Sequence, residues 1–220
     1  MATAVVPDAP KLAPSTPTRP SLLSRLPQFI GGLALCAVGV WLTVQVDLGL
    51  APWDVLHSGL SHLLGISFGA VIAAVGIVVL GASALLGVRP GLGTLVNVVL
   101  IGFALDGLMA TSWLDTLPAA PLAVRLLVLV GAVALLGVGA AVYIGAGFGA
   151  GPRDSLMVAL AGKGLPIGWA RCAIELSVLA GGWLLHGPVG IGTAVVALTS
   201  GPAVQVAFRL VPQRRPARRR

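Results

Sequence analysis

Six apolar stretches of about twenty residues, at about 28–46, 68–87, 92–112, 122–144, 167–186 and 190–210, take up most of this chain. An α-helix needs about 20 apolar residues to cross a bilayer, and the connections between the stretches are short. Only 10% of the residues are charged, where a soluble domain carries roughly 25%. The chain is 57% hydrophobic before its 30 glycines are counted. It has too few polar groups to cover a water-facing globule. An ordinary soluble enzyme, a disordered protein and a nucleic-acid binder with a basic surface are therefore excluded. The class that remains is an all-α membrane protein with six transmembrane helices.

The net charge of +7 is unevenly placed. Six of the 14 basic residues fall in the last dozen positions (Arg209, Arg214, Arg215, Arg218, Arg219 and Arg220), and Lys11, Arg19 and Arg25 precede or open the first apolar stretch. With the N-terminus inside, one face collects these residues together with Arg89, Arg153 and Lys163. The other collects Asp47, Asp54 and Asp115, with Arg125 its one basic residue. Such a distribution orients a multi-pass protein with both termini cytoplasmic. The Arg-rich tail, 212–220, also suits anionic lipid headgroups. Residues 1–27, rich in Pro, Ser, Thr and Ala, read as a disordered leader, and no convincing cleavage site follows the first stretch. Cys36 and Cys172 lie far apart inside apolar runs, so neither a disulfide framework nor a metal site is expected.

Two segments, 52–64 and 152–163, are too short to span. The first carries His57, Ser58, Ser61 and His62 on one helical side and Leu56, Leu60, Leu63 and Leu64 on another. This amphipathic pattern predicts a helix that either lies in the interface or dips in as a re-entrant piece. The second segment is less polar and better suited to dipping.

The chain also resembles itself at a shift of 100 residues. Gly49-Leu50-Ala51-Pro52-Trp53-Asp54 aligns with Gly149-Ala150-Gly151-Pro152-Arg153-Asp154, and Leu35, Val38 and Gly39 with Leu135, Val138 and Gly139. Further on the shift becomes 99. Gly65 and Gly69 then match Gly164 and Gly168, Gly91-Leu92-Gly93-Thr94 matches Gly190-Ile191-Gly192-Thr193, and Gly102 matches Gly201. Each copy (28–112 and 122–211, joined by an outside loop at 113–121) holds three spans and one short helix. Because three is odd, the copies must insert in opposite orientations, and loop charge would leave the Trp53 motif outside and the Arg153 motif inside. Inverted-topology repeats are typical of secondary transporters.

In each motif the glycines permit tight turning, and Pro52 and Pro152 suit a first helical turn. Asp54 and Asp154 fall in that turn, where a carboxylate answers the helix's own N–H groups or the helix end faces a solute. The sequences 49–57 (Gly-Leu-Ala-Pro-Trp-Asp-Val-Leu-His), 89–97 (Arg-Pro-Gly-Leu-Gly-Thr-Leu-Val-Asn) and the later Gly-x-x-x-Asp (102–106) resemble the YczE/YyaS/YitT-type bacterial integral membrane proteins. The resemblance covers about residues 30–210. It implies a multi-pass protein of the bacterial plasma membrane, and it assigns no catalytic or binding residue.

Charges within spans are costly, about 2.5–3.5 kcal/mol each on insertion scales, so those present are candidates for function. Arg171 and Glu175, four residues apart, can pair on one helix face, with Glu175 the deeper candidate for a proton- or cation-linked site. Asp106 either caps a packed interior or lines a polar cavity, and Asn97 lies deeper on the same span. The Gly-x-x-x-Gly spacings at 65–69 and 164–168 predict close helix packing. No nucleophile–base pair, phosphate loop, metal spacing or cofactor motif appears, and no enzymatic activity, cofactor or metal is expected. The leading expectation is a small secondary transporter or permease for an unidentified small solute, with the bilayer as its surroundings and homodimerisation allowed. The alternative is a non-transporting membrane scaffold that anchors or assists a partner.

Overall fold

The computed structural model describes residues 22–88, 91–149 and 151–211. Lys11, Arg19, Arg89, Ala150, most of the expected leader and the tail at 212–220 lie outside the described residues. The described residues form eight α-helices, one short 3-10 turn and no strand. The helices are α1 (Leu22–Gln45), α2 (Pro52–Leu64), α3 (Phe68–Leu85), α4 (Leu92–Met109), α5 (Leu122–Gly145), α6 (Pro152–Ala161), α7 (Ile167–Leu184) and α8 (Ile191–Leu210). Four of them, α1, α3, α5 and α8, are long and apolar enough to cross a membrane.

All six apolar stretches and both short segments are helical. The largest displacement is at the start. Helix α1 begins at Leu22 instead of 28 and runs through Pro27, so the last residues of the expected leader belong to the first helix. Pro27 is the sixth residue of the helix, so it removes one intrahelical bond, the one to the Leu23 carbonyl, close to the helix start.

The most extensive helix pairing is α1 with α5. Its glycines show how the backbones come together. A Cβ on Gly39 would press on Leu136 and the Ala132 carbonyl, and one on Gly139 would press on Cys36 and the Gly32 carbonyl. The two contacts are the same with the helices exchanged. The core repeats the exchange: Phe29, Leu33, Ala146 and Phe148 pack at one end, and Leu129, Val133, Val46 and Leu48 at the other. Outside this central pair, α4 lies on α1 and α8 on α5, while α2 packs on α7 and α6 on α3. One pairing has no counterpart, since α3 and α4 pack closely whereas α7 and α8 make no comparable contact.

The two Gly-x-x-x-Gly spacings do not act as packing pairs. Gly65 ends α2 in the left-handed region at φ 66°, where a glycine carries no Cβ penalty. Gly69 instead meets the carbonyl of Gly102, fastening α3 to α4. Gly164 and Gly168 have nothing close enough to exclude a Cβ. At the far end of α1, Arg125 donates to the carbonyls of Val46 (2.7 Å) and Asp47. A cation there answers the negative end of the α1 dipole, so this basic residue on the otherwise acidic face has a structural partner.

Candidate functional site

After α1 and after α5 the chain turns back toward the middle of the molecule, and the Gly-x-x-Pro and Gly-x-Gly-Thr motifs together make that possible. Gly49 (φ 97°) and Gly149 (φ 132°) both occupy the left-handed region. A Cβ on Gly49 would stand 2.7 Å from Thr193 Oγ1, and one on Gly149 would stand 2.7 Å from Thr94 Oγ1. Each loop is thus seated on the start of the last helix in the other half. Gly192 N–H donates to the Leu48 carbonyl at 2.7 Å and Leu50 N–H to that of Pro188 at 3.2 Å. On the other side, Gly93 abuts the Phe148 carbonyl. In sequence the two motifs looked like separate helix-starting devices. In the fold they are the two sides of one joint, built twice.

The consequence is that α2 and α6 begin at a common cavity of about 530 Å³, lined by residues from all eight helices. Pro52 and Pro152 open these helices, as expected. The expectation that loop charge separates the motifs, Trp53 on one face and Arg153 on the other, is overturned. The guanidinium carbon of Arg153 lies 5.1 Å from the centroid of the Trp53 ring, a cation–π contact. Arg153 Nη2 also reaches Asp54 Oδ1 at 3.3 Å.

The N-cap of α2 is Ala51, which has no polar side chain to cap with, and Asp54 in the first turn is engaged elsewhere. Its carboxylate faces His57 Nδ1 at 3.3 Å as well as Arg153. Burial by itself would raise the Asp54 pKa, but the hydrogen bond from His57 and the charge of Arg153 outweigh it and hold the carboxyl below its ordinary value. Burial lowers the His57 pKa, keeping that ring neutral, and Arg153 acts in the same direction against the pull of Asp54. Asp154 is the mirror position with the opposite outcome. Burial pushes its pKa up, and Arg153, a backbone hydrogen bond from Gly151 and the more distant Arg171 only partly offset this.

Asn97 of α4 also lines the cavity, is 5% exposed, and has no hydrogen-bond partner for Nδ2. Arg171 and Glu175 of α7 line it too, and Arg171 Nε donates to Glu175 Oε1 at 2.9 Å. The positions that match them at the 99-residue shift, Ile72 and Gly76 of α3, line the opposite wall. Asp106 is elsewhere. It accepts from Ser67 Oγ at 2.6 Å and from Gly69 N–H at 2.7 Å, tying α4 to the start of α3. Of the two roles open to Asp106 in the sequence, the structural one is the one observed.

Trp53, His57, Tyr143 and Arg153 are site residues that sequence reasoning did not select. The sequence leaves α2 either lying in the interface or dipping inward. His57 and Ser58 are buried, whereas His62, Leu63 and Leu64 are exposed, so the helix is buried at its start and open at its end. The available signal for Arg153 was its equivalence to Trp53, because equivalent positions near an internal two-fold can meet.

The family model described as a family of unknown function, DUF6198, matches residues 23–209. The uncharacterized membrane protein YczE of Bacillus subtilis is 35% identical over 184 residues, 82% of this chain and 83% of its own length. An uncharacterized protein of Haemophilus influenzae is 33% identical over 180 residues, 81% of each chain. The uncharacterized protein YyaS of Bacillus subtilis is 26% identical over 186 residues, 82% of this chain and 90% of its own length. No solved structure matches this chain.

Proposed function

Because this chain belongs to the DUF6198 family, whose function is unknown, we propose its role from the cavity itself: a small secondary transporter of the bacterial plasma membrane. It consists of two inverted-topology repeats of three spans and one re-entrant short helix, with both termini cytoplasmic. The observation that carries this reading is the meeting of two repeat-related helix starts, Pro52–Asp54 and Pro152–Asp154, in a cavity lined by every helix. The exchanged contacts of Gly39 and Gly139, and of the joints at Gly49 and Gly149, are what an internal two-fold requires. Discontinuous helices that end at mid-membrane beside charged groups serve solute binding in such transporters. The α4 and α7 helices complete the six spans. The two charges of α7 lie on the cavity side, so they need not meet lipid.

Purified protein in sealed liposomes, screened for counterflow against panels of small organic and inorganic solutes, tests the proposal. Uptake of at least one solute class is expected. It should fall by about tenfold or more in Asp54→Asn and in Glu175→Gln, the effect of losing roughly 1.4 kcal/mol of binding. Absence of flux for every panel member, with the protein folded and correctly inserted, overturns the transport reading.

A further inference from the structure

Among the described residues the cavity does not balance its own charge: it is lined by three carboxylates, Asp54, Asp154 and Glu175, and two guanidinium groups, Arg153 and Arg171. The guanidiniums are committed: Arg153 to Asp54 at 3.3 Å and Arg171 to Glu175 at 2.9 Å. Among the described residues Asp154 has no ion-pair partner. An isolated carboxylate in an apolar cavity is costly enough that it takes up a proton or recruits a cation. A second feature points to a ligand independently. Asn97, on another helix, presents a buried Nδ2 with nothing to donate to, and such a group is expensive to leave unpaired.

We propose that the cavity binds a small organic monocation, a protonated amine that also carries a hydrogen-bond acceptor, and that this cation and a proton exclude one another at Asp154. The ammonium occupies the odd carboxylate and the acceptor takes the Asn97 amide. When the amine binds, the Asp154 proton leaves to water, no covalent bond changes, and the cavity stays neutral in either state. An anionic solute is disfavoured, since both arginines are already paired and the unpaired charge is negative. This inference rests on the transport reading and names the class of solute that the same site would carry.

The groups around Asp154 bear this out. On its own helix Arg153 is its nearest cation, turned toward Asp54 and the Trp53 ring. From α7, Arg171 is held by Glu175. From α2, His57 faces Asp54, and α5 and α1 contribute only Tyr143 and Cys36 as titratable groups, neither of them a cation. The α3 wall, which packs on α6, is apolar (Ile72, Val75, Val79). Asp154, which accepts only the Gly151 N–H of its own helix start, is therefore the one lining carboxylate left without an ion pair among the described residues.

The test uses the purified full-length protein in detergent, without added buffer, titrated with ethanolamine and tyramine. Ethylamine, which lacks the acceptor, and glycolate, an anion, serve as comparisons. Ethanolamine or tyramine should bind with release approaching one proton per bound amine, ethylamine should bind more weakly, and glycolate should release none. Asp154→Asn should abolish proton release and weaken binding by about tenfold or more. Asp154→Glu should keep the linkage, and the exposed Asp115→Asn, outside the cavity, should leave it unchanged. Amine binding without proton release, release that survives Asp154→Asn, or failure of both amines to bind folded protein overturns the inference. Liposome uptake on the same preparations separates the two claims. Proton-linked amine binding without flux removes the transport reading and keeps the site, whereas flux of other solutes without proton release removes the site and keeps transport.

Discussion

Arg153 lies over the ring of Trp53, the residue it matches at a shift of 100 positions, and the same guanidinium reaches Asp54. One side chain thus joins the starts of the two short helices. Removing it leaves a buried carboxylate served only by a neutral histidine. A fully buried broken pair costs about 3–5 kcal/mol. The Arg153 side chain is 43% exposed, so solvent reduces this to about 1–2 kcal/mol. Arg153→Ala should therefore lower the unfolding temperature in detergent, and Asp54→Asn combined with Arg153→Ala should recover most of the loss. A double variant no more stable than the single one would show that Asp54 does not depend on Arg153.

The two aspartates should respond oppositely to pH. The Asp154 pKa is raised in the folded state, so the folded protein holds its proton at pH values where the unfolded chain, near 3.8, has released it. Ionised Asp154 therefore costs stability at neutral pH, and the cost fades as pH falls through the folded value. Asp154→Asn should be more thermostable than the parent near pH 7, with the advantage shrinking as pH approaches about 4. For Asp54, whose pKa is lowered, the contribution is present above 3.8 and is lost only as pH falls through the still lower folded value. Asp54→Asn should accordingly be destabilising near pH 7. Thermal unfolding followed across this range checks both signs.

Two glycines with similar backbone angles should differ in cost. Gly149 (φ 132°) sits against Thr94, whereas Gly164 (φ 99°) has open space around it. Gly164→Ala should lose only the penalty of the left-handed region, about 1–2 kcal/mol. Gly149→Ala adds a collision and should lose about 3 kcal/mol or more. Denaturation of the two variants side by side measures the difference, and equal losses would mean that the Thr94 joint is not tight.

Topology gives a separate check. Asp115→Cys should react with an impermeant thiol reagent from outside intact cells. A chain shortened by residues 212–220 should keep its solute flux, because it retains Asp54, Asn97, Asp154 and Glu175 of the cavity. Loss of flux with normal insertion would favour the scaffold role.

Much of this fold was legible in the sequence, because helix length and apolar run are set by the same bilayer thickness. Helix α6, expected at 152–163, spans 152–161, and the repeat registers at 100 and 99 recur in the glycine contacts. Depth was not legible. The spacing from Gly49 to Asp54 is the same whether the loop stays at the surface or turns inward, and loop charge favoured the surface. Only the seating of Gly49 on Thr193, contributed by residues 144 positions away, fixes the inward course. The course of α2 stays open in the sequence for a related reason. His57 and Ser58 avoid lipid equally well by facing water or by facing a polar cavity, and periodicity does not distinguish the two. Asn97 and Glu175 were selected because polar groups inside spans are expensive, and both line the cavity. Asp106 met the same criterion and proved to be a helix tie.

Gly69 fastens against Gly102, yet their counterparts, Gly168 and Gly201, stand apart, with Gly201 approached only by the tip of Arg171. The duplicated chain is therefore lopsided: one clasp is drawn tight between α3 and α4, while the seam between α7 and α8 is the looser of the two.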